Sequence, residues 1–280
     1  MLKTVLPPRL TVVAAAATGL FLQSCDREPA PAEPAETPVV TPAPAPLQAV
    51  TPEPALDRTA LLAAVSQAAS AYAAGASPSG SDPLVRRTFD VSLPFGCQGA
   101  EDPPAEEAGD GTARWSWSPD RKTIRLGLTP GDWTRSALIA GADPVSWEAV
   151  EGFWVSRPWM TADGCPALRA DPLANDAAAA SPETVGLAAV FEEGGSRLGR
   201  RNGRAFAYTV RGEGDAPPAM PEDGYRLRLQ GRIAAFPDGR AIRCRAVSPR
   251  QRPVCVAAVQ LDRVAFQTAA GDTLTEWRPG

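Results

Sequence analysis

The chain has 280 residues, a formal net charge of −4 and no histidine. The absence of histidine excludes a His-containing catalytic triad, a His-ligated metal site and a histidine pH switch. Hydrophobic residues make up 44% of the chain and charged residues 21%, which predicts a packed core in one sizeable domain or in two small ones.

The N-terminal segment has the pattern of an export signal. Lys3 and Arg9 belong to a short basic start, and residues 10–22 are apolar or small throughout. This run has 13 residues, whereas a helix that spans a membrane needs about 20. The length therefore predicts the core of a signal peptide rather than a permanent membrane span.

The end of this run, Leu22-Gln23-Ser24-Cys25, resembles the lipobox of bacterial lipoprotein precursors. Leu22 and Ser24 match that pattern, whereas Gln23 stands where a small or β-branched residue is usual. The resemblance covers residues 1–25 only. It implies removal of the signal peptide, residues 1–24, and lipidation of Cys25. Two or three acyl chains would then anchor the protein to a membrane on its periplasmic side. The alternative is a secreted precursor in which Cys25 is incidental.

A proline-rich tether is predicted to follow the lipidated cysteine. Asp26 resembles the enterobacterial signal for retention at the inner membrane, which favours the inner over the outer membrane. Residues 26–58 contain nine prolines, each of which fixes its own backbone φ and lacks an amide donor. The segment 25–53 is therefore predicted to be a disordered, extended spacer between the bilayer and the body.

An alanine-rich helix is predicted over residues 54–77. Leu61, Val65 and Tyr72 recur at spacings that place them on one apolar stripe, and Gly75 supplies a stop. The helix has no basic face, so we do not expect it to lie on a membrane surface.

The apolar period changes to two after residue 82, which predicts a mainly-β body over 82–280. The predicted strands lie at 89–95, at 113–128 as a hairpin, and at 153–155, 186–191, 205–211, 225–233, 242–246, 254–266 and 274–277. Many short strands with turns between them predict an antiparallel β-sandwich or a small barrel. The strands around Pro237-Asp238-Gly239 are predicted to form a meander. The pattern does not decide between one β domain and two, 82–194 and 195–280.

Four cysteines follow the lipobox, and they predict disulfides. An even number of cysteines in an exported chain favours disulfide bonds, and four cysteines allow three pairings. We favour Cys97–Cys165 with Cys244–Cys255, because the latter two are predicted to lie opposite each other across a turn. Their spacing does not suit zinc, so no metal and no cofactor are expected.

The first candidate binding site is Trp154, Arg157 and Trp159, at a predicted exit from a strand into a loop. Two indoles and a guanidinium can stack on sugar rings and bind a carboxylate, which suggests recognition of cell-wall glycan. Alternatively, Trp154 packs on the sheet face opposite Phe153, and Trp159 covers the loop.

The second candidate site is an arginine cluster, Arg197, Arg200, Arg201 and Arg204, which could bind phosphate or lipid headgroups. A solvated hairpin tip explains the cluster equally well. Charge is also uneven along the chain, with 15 arginines and 8 acids from residue 195 onward. The basic half could face anionic lipid or cell-wall polymer, or it could simply complement the acidic half.

No residues are assigned a catalytic role, because the chain lacks the usual serine-hydrolase, phosphate-loop and calcium-loop motifs. Glu148 and Glu151 could share a helix face, which leaves a carboxylate-based hydrolase as an alternative. The sequence therefore predicts a non-enzymatic lipoprotein of the cell envelope that binds another envelope component or has a structural role. A glycan-binding accessory module is the other alternative, and no nucleic-acid partner is expected.

Overall fold

The computed structural model describes residues 53–76, 80–101, 109–139, 147–167, 182–214 and 216–279. The predicted signal peptide, Cys25 and most of the tether lie outside the described residues. The chain from Thr51 to Gly280 forms one compact unit. Within the described ranges, no helix is both long enough and apolar enough to cross a membrane.

The described part of the chain contains one α-helix and eleven β-strands. The helix α1 spans Arg58–Ala73. The strands are β1 (Thr88–Phe95), β2 (Arg114–Ser118), β3 (Thr123–Leu128), β4 (Gly131–Asp132), β5 (Trp147–Trp154), β6 (Val185–Glu192), β7 (Phe206–Arg211), β8 (Tyr225–Ile233), β9 (Ile242–Arg245), β10 (Val254–Thr268) and β11 (Thr273–Trp277).

The strands form two sheets, which confirms the predicted mainly-β sandwich. The larger sheet has the order β1-β8-β10-β6-β5-β4, with β9 and β11 also paired to β10, and the smaller has the order β2-β3-β7. Most pairs are antiparallel, as predicted, but β6 and β10 pair in parallel. Strands from before and after residue 194 pair in both sheets, so this position does not divide the body into two separate sheets.

The predicted meander is wrong, because β8 and β9 do not form a hairpin with each other. Both strands run antiparallel to β10 along the same edge: Ile233 pairs with Val259, and Ile242 pairs with Ala257. The predicted turn exists, with Gly239 at φ +78°. It lies at the tip of an excursion, residues 234–241, from one interrupted strand. Ala258 closes the excursion, since its oxygen accepts from Ala234 N and its nitrogen donates to Ala241 O.

The main core lies between the sheets and α1. Side chains at every second position of β1 are buried in it, from Phe89 to Phe95, as the alternation predicts. Trp115 is buried there and Trp117 packs against it. The helix contributes Leu61, Leu62 and Val65.

The helix is shorter than the predicted range 54–77 and differs in one core position. It begins after Asp57, whose side chain accepts from Ala60 N at 2.8 Å and caps the first turn. Tyr72, predicted on the apolar stripe, is 41% exposed, whereas Leu62, which was not predicted on the stripe, is buried in the core. Just before the helix, Leu56 pairs with Phe89 and covers the edge of β1.

Both favoured disulfides, Cys97–Cys165 and Cys244–Cys255, are present. The first joins the end of β1 to the segment after β5. The second links residues that face each other directly in the β9–β10 ladder, with their Cα atoms 4.0 Å apart. Two disulfides are compatible with an extracytoplasmic location.

Candidate functional site

Trp154 belongs to a second, smaller core on the outer face of the large sheet. Phe153 faces the main core, and Trp154 faces the opposite way and packs on Trp133, with ring centroids 4.7 Å apart. The Trp133 indole lies on a flat surface made by Gly152 and Gly186. A Cβ atom at Gly152 would come within 2.0 Å of the Trp133 ring. Trp154 therefore packs as part of this core, and its contact with Trp133 occupies ring surface that a ligand would need for stacking.

Arg157 is likewise engaged by the protein, whereas Trp159 is not. The Arg157 guanidinium donates to Pro94 O at 2.6 Å and to Cys97 Sγ at 3.2 Å. Burial lowers the pKa of Arg157, and the charge of Glu183 opposes this shift. Trp159 is 55% exposed. Among the described residues, no ring contact joins Trp154 to Trp159, so the three predicted glycan-binding residues do not form one platform.

Arg58, which the sequence analysis missed, holds the loop that contains Arg157. Its side chain is only 2% exposed. One terminal nitrogen donates to the carbonyls of Ser156 and Arg157 at 2.7 and 3.0 Å, and Nε donates to Met160 O at 2.9 Å. Burial lowers the pKa of Arg58. One feature of the sequence could have pointed to Arg58: it is the only charged residue of α1.

The second predicted site, the arginine cluster, is folded onto acidic side chains of β5. Arg197 and Arg200 both bind Glu148, at 2.8 and 2.7 Å. The hydrogen bond from Arg197 is the main cause that lowers the pKa of Glu148. Arg201 and Arg204 donate to each other's carbonyl oxygens at 3.2 and 3.1 Å. Each of the four guanidinium groups thus already has a partner within the protein.

Glu148 and Glu151 lie on the strand β5, so the prediction that they share a helix face is wrong. An irregularity in the β5–β6 ladder between Trp147 and Ala149 puts Glu148 out of strict alternation, so both carboxylates face the loop after β6. Both line a polar cleft of about 830 Å³, together with Arg200 and Asn202.

Glu151 is the buried member of this pair. It is 7% exposed, and one of its oxygens accepts from Arg201 N at 2.7 Å and from Asn202 N at 2.8 Å. Burial raises the pKa of Glu151, and the two backbone donors oppose the shift. The two carboxylates therefore fasten the arginine loop to the sheet, and Glu148 is neutralised by two arginines.

Glu151 leads to a prediction about pH. Replacement with glutamine keeps an oxygen for the two N–H donors and removes the charge. Because burial raises the pKa of Glu151 above its ordinary 4.5, its contribution to stability is fully present below that value and is lost as pH rises through the folded pKa. We therefore expect the free energy of unfolding of the native chain, relative to Glu151→Gln, to fall as pH rises from below 4.5. Urea denaturation of both proteins at several pH values measures this difference. A difference that rises with pH would mean that the N–H donors outweigh burial.

A third candidate surface, here called the basic hairpin, is made of residues 240–254. It contains five arginines, Arg240, Arg243, Arg245, Arg250 and Arg252, and no acidic residue. Arg243 is used inside the fold: it pairs with Asp238 at 3.2 Å and lies over the Phe236 ring at 4.7 Å.

The outer arginines of the basic hairpin have no partner among the residues that the structure describes. Arg245, Arg250 and Arg252 are exposed, and no hydrogen bond or ion pair connects them to any residue that the structure describes. Val247, between the first two in sequence, is 94% exposed. The tip therefore combines three positive charges that have no partner in the described part of the chain with one exposed apolar side chain.

The basic hairpin is held in shape at its base. The Cys244–Cys255 disulfide crosses the two strands next to the Arg245–Val254 pair, after which the loop begins. Gln251 N donates to Ser248 O at 3.1 Å, which closes a turn with proline as its second residue. The sequence shows that this half of the chain is basic, but it does not show which of its arginines lack a partner among the described residues.

In the described part of the chain, no group of three or more cysteine, aspartate or glutamate side chains is arranged to hold a metal ion. No family model, curated protein or solved structure matches this chain.

Proposed function

We propose that this protein is a lipid-anchored binding protein of the bacterial cell envelope. Cys25 carries the anchor, the proline-rich tether connects the body to it, and the β-sandwich binds an anionic envelope component through the basic hairpin. The lipobox resemblance supports the anchor, and the two disulfides are compatible with a periplasmic body.

The single observation that carries the binding role is the set of arginines on the basic hairpin that no described residue pairs with. Like charges close together on one loop repel each other and do not help the fold. The other predicted cluster has Glu148 as an internal counterion, whereas Arg245, Arg250 and Arg252 have no such partner among the described residues. Their charge is available to an anion outside the protein.

The two alternatives from the sequence have weaker support. A glycan platform would rely on Trp159 alone, since Trp154 packs on Trp133 and Arg157 is bound to Pro94. A carboxylate hydrolase would have to use Glu148 while two arginines bind it. A role in binding another envelope protein is consistent with the same basic surface.

Fractionation of a bacterial host that produces the chain tests anchor and binding separately. We expect the native protein to carry acyl mass on Cys25 and to stay in the envelope fraction in concentrated salt. The mature chain from residue 26, exported with an ordinary cleavable signal, lacks the anchor. It should remain with the envelope in dilute buffer and be released by salt, because exposed charges are screened.

Two results would contradict the proposal. Mature protein with an unmodified Cys25 would remove the anchor. Unlipidated protein that stays soluble in dilute buffer would remove the binding role.

A further inference from the structure

We propose that the anionic component bound by the basic hairpin is the phospholipid bilayer itself, with Val247 entering the headgroup layer and Arg245, Arg250 and Arg252 contacting lipid phosphates. This inference rests on the proposed function and adds the identity of its partner. It makes the body a second membrane contact, distinct from the acyl chains.

The exposed valine distinguishes a bilayer from an anionic polymer. Arginines alone would suit either partner, since both offer phosphate or carboxylate oxygens. A polysaccharide or polyphosphate in water offers no apolar layer to a side chain that is 94% exposed. A bilayer offers anionic headgroups and, just beneath them, hydrocarbon, so it matches the apolar tip and its basic border together.

Acidic groups near the hairpin do not oppose this contact. Asp238 is paired with Arg243, and one Asp82 carboxylate oxygen accepts from Ala241 N at 2.9 Å. The neighbouring helix α1 contains no acidic residue, and the hydroxyl of its Tyr72 accepts from Ala246 N at 3.3 Å. Among the described residues, the acidic groups beside the hairpin are therefore an ion-paired Asp238 and an Asp82 whose carboxylate is held by backbone N–H donors at the base of the hairpin.

The rest of the fold prepares the hairpin for this role. The cross-strand disulfide and the turn at Ser248 hold the three arginines and Val247 within one short segment, residues 245–252, which reduces the entropy lost on binding. The predicted tether could reach roughly 90 Å at about 3.1 Å per residue, so it permits the tip to face the membrane. Attachment also keeps the tip at a high local concentration near the bilayer, so a modest affinity is enough.

Vesicle flotation of the mature chain from residue 26, without acyl chains, tests the proposal. We expect binding to vesicles of equal parts phosphatidylcholine and phosphatidylglycerol, and none to phosphatidylcholine alone. The triple variant Arg245→Gln, Arg250→Gln, Arg252→Gln should partition about 100-fold less, at roughly fivefold for each arginine near an anionic surface. Val247→Ser should reduce partitioning by about tenfold, because its side chain no longer transfers into an apolar layer.

A matched triple variant controls for net charge. Arg121, Arg135 and Arg211 are exposed and lie outside the basic hairpin, so their replacement by glutamine should leave partitioning nearly unchanged. Equal urea midpoints for all variants would show that the fold is intact.

Three outcomes overturn the proposal. The first is an equal loss of vesicle partitioning in the two triple variants. The second is undiminished vesicle binding by Val247→Ser. The third is binding of the mature chain to soluble polyphosphate but not to anionic vesicles. If the unlipidated chain is retained by envelope fractions but does not bind vesicles, the bilayer is the wrong partner and the proposed function still stands.

Discussion

Replacing Arg58 with alanine is expected to lower the free energy of unfolding by about 3–5 kcal/mol. The guanidinium is buried and donates to the carbonyls of Ser156, Arg157 and Met160. Without it, the oxygens of Ser156 and Met160 lose their donor in a place that water reaches poorly, and each unsatisfied group costs about 1–3 kcal/mol, whereas the oxygen of Arg157 keeps the donor Met160 N. Urea denaturation followed by tryptophan fluorescence measures the loss.

Two further variants make the Arg58 result specific. Arg58→Lys should recover little of the stability lost in Arg58→Ala, because an ammonium group cannot imitate the planar guanidinium that contacts several carbonyls at once. Arg250→Ala, at an exposed arginine without a partner among the described residues, should change the free energy of unfolding by less than about 0.5 kcal/mol. If Arg58→Ala were as mild as Arg250→Ala, the loop at 156–160 would have to be held by something other than this side chain.

Replacing Trp133 with alanine is expected to lower the free energy of unfolding by about 3–5 kcal/mol, the range for a large buried aromatic residue. Trp133 is 8% exposed and covers Gly152 and Gly186 on two adjacent strands. Its removal would uncover the outer face of β5 and β6 and leave Trp154 without its ring partner. Thermal and urea unfolding of the variant measure the effect.

Trp159→Ala is the matched control. Because Trp159 is 55% exposed, its replacement should lower the free energy of unfolding by less than about 1 kcal/mol. Gly152→Ala tests the same contact from the opposite side. The added methyl group would clash with the Trp133 ring, and overpacking of this kind costs about 1–3 kcal/mol. Equal stability of the Trp133 and Trp159 variants would mean that the outer face does not need this cover.

Strand positions were predictable from the sequence, whereas strand order was not. The alternation from Phe89 to Phe95 is a local consequence of one buried face, and the structure confirms it in β1. The Cys244–Cys255 pair was also local, eleven residues apart across one turn. The parallel pairing of β6 with β10 joins residues about 70 apart, and no short-range pattern encodes such a choice.

The candidate sites show the same limit. Composition revealed that arginines were clustered, but it could not tell which of them had counterions. Arg197 and Arg200 meet Glu148 across about fifty residues of chain, whereas Arg250 meets no described acid. Trp133 carries no periodic signal either, since its place depends on Gly152 and Gly186, two residues without side chains.

The position of β10 at the centre of the large sheet has a consequence for biogenesis. Asp90 and Gln230, which bond across β1 and β8, are 140 residues apart, and β8 in turn rests on β10, which ends at Thr268. Under the proposed export the chain emerges N-terminus first, so β1 would wait for its neighbour until most of the polypeptide has been translocated. Domains with such distant pairings fold slowly and expose unpaired edges meanwhile. We expect a nascent body that stays unfolded until its last strands arrive, and a translation product cut before residue 254 should be degraded rather than fold into a smaller stable form.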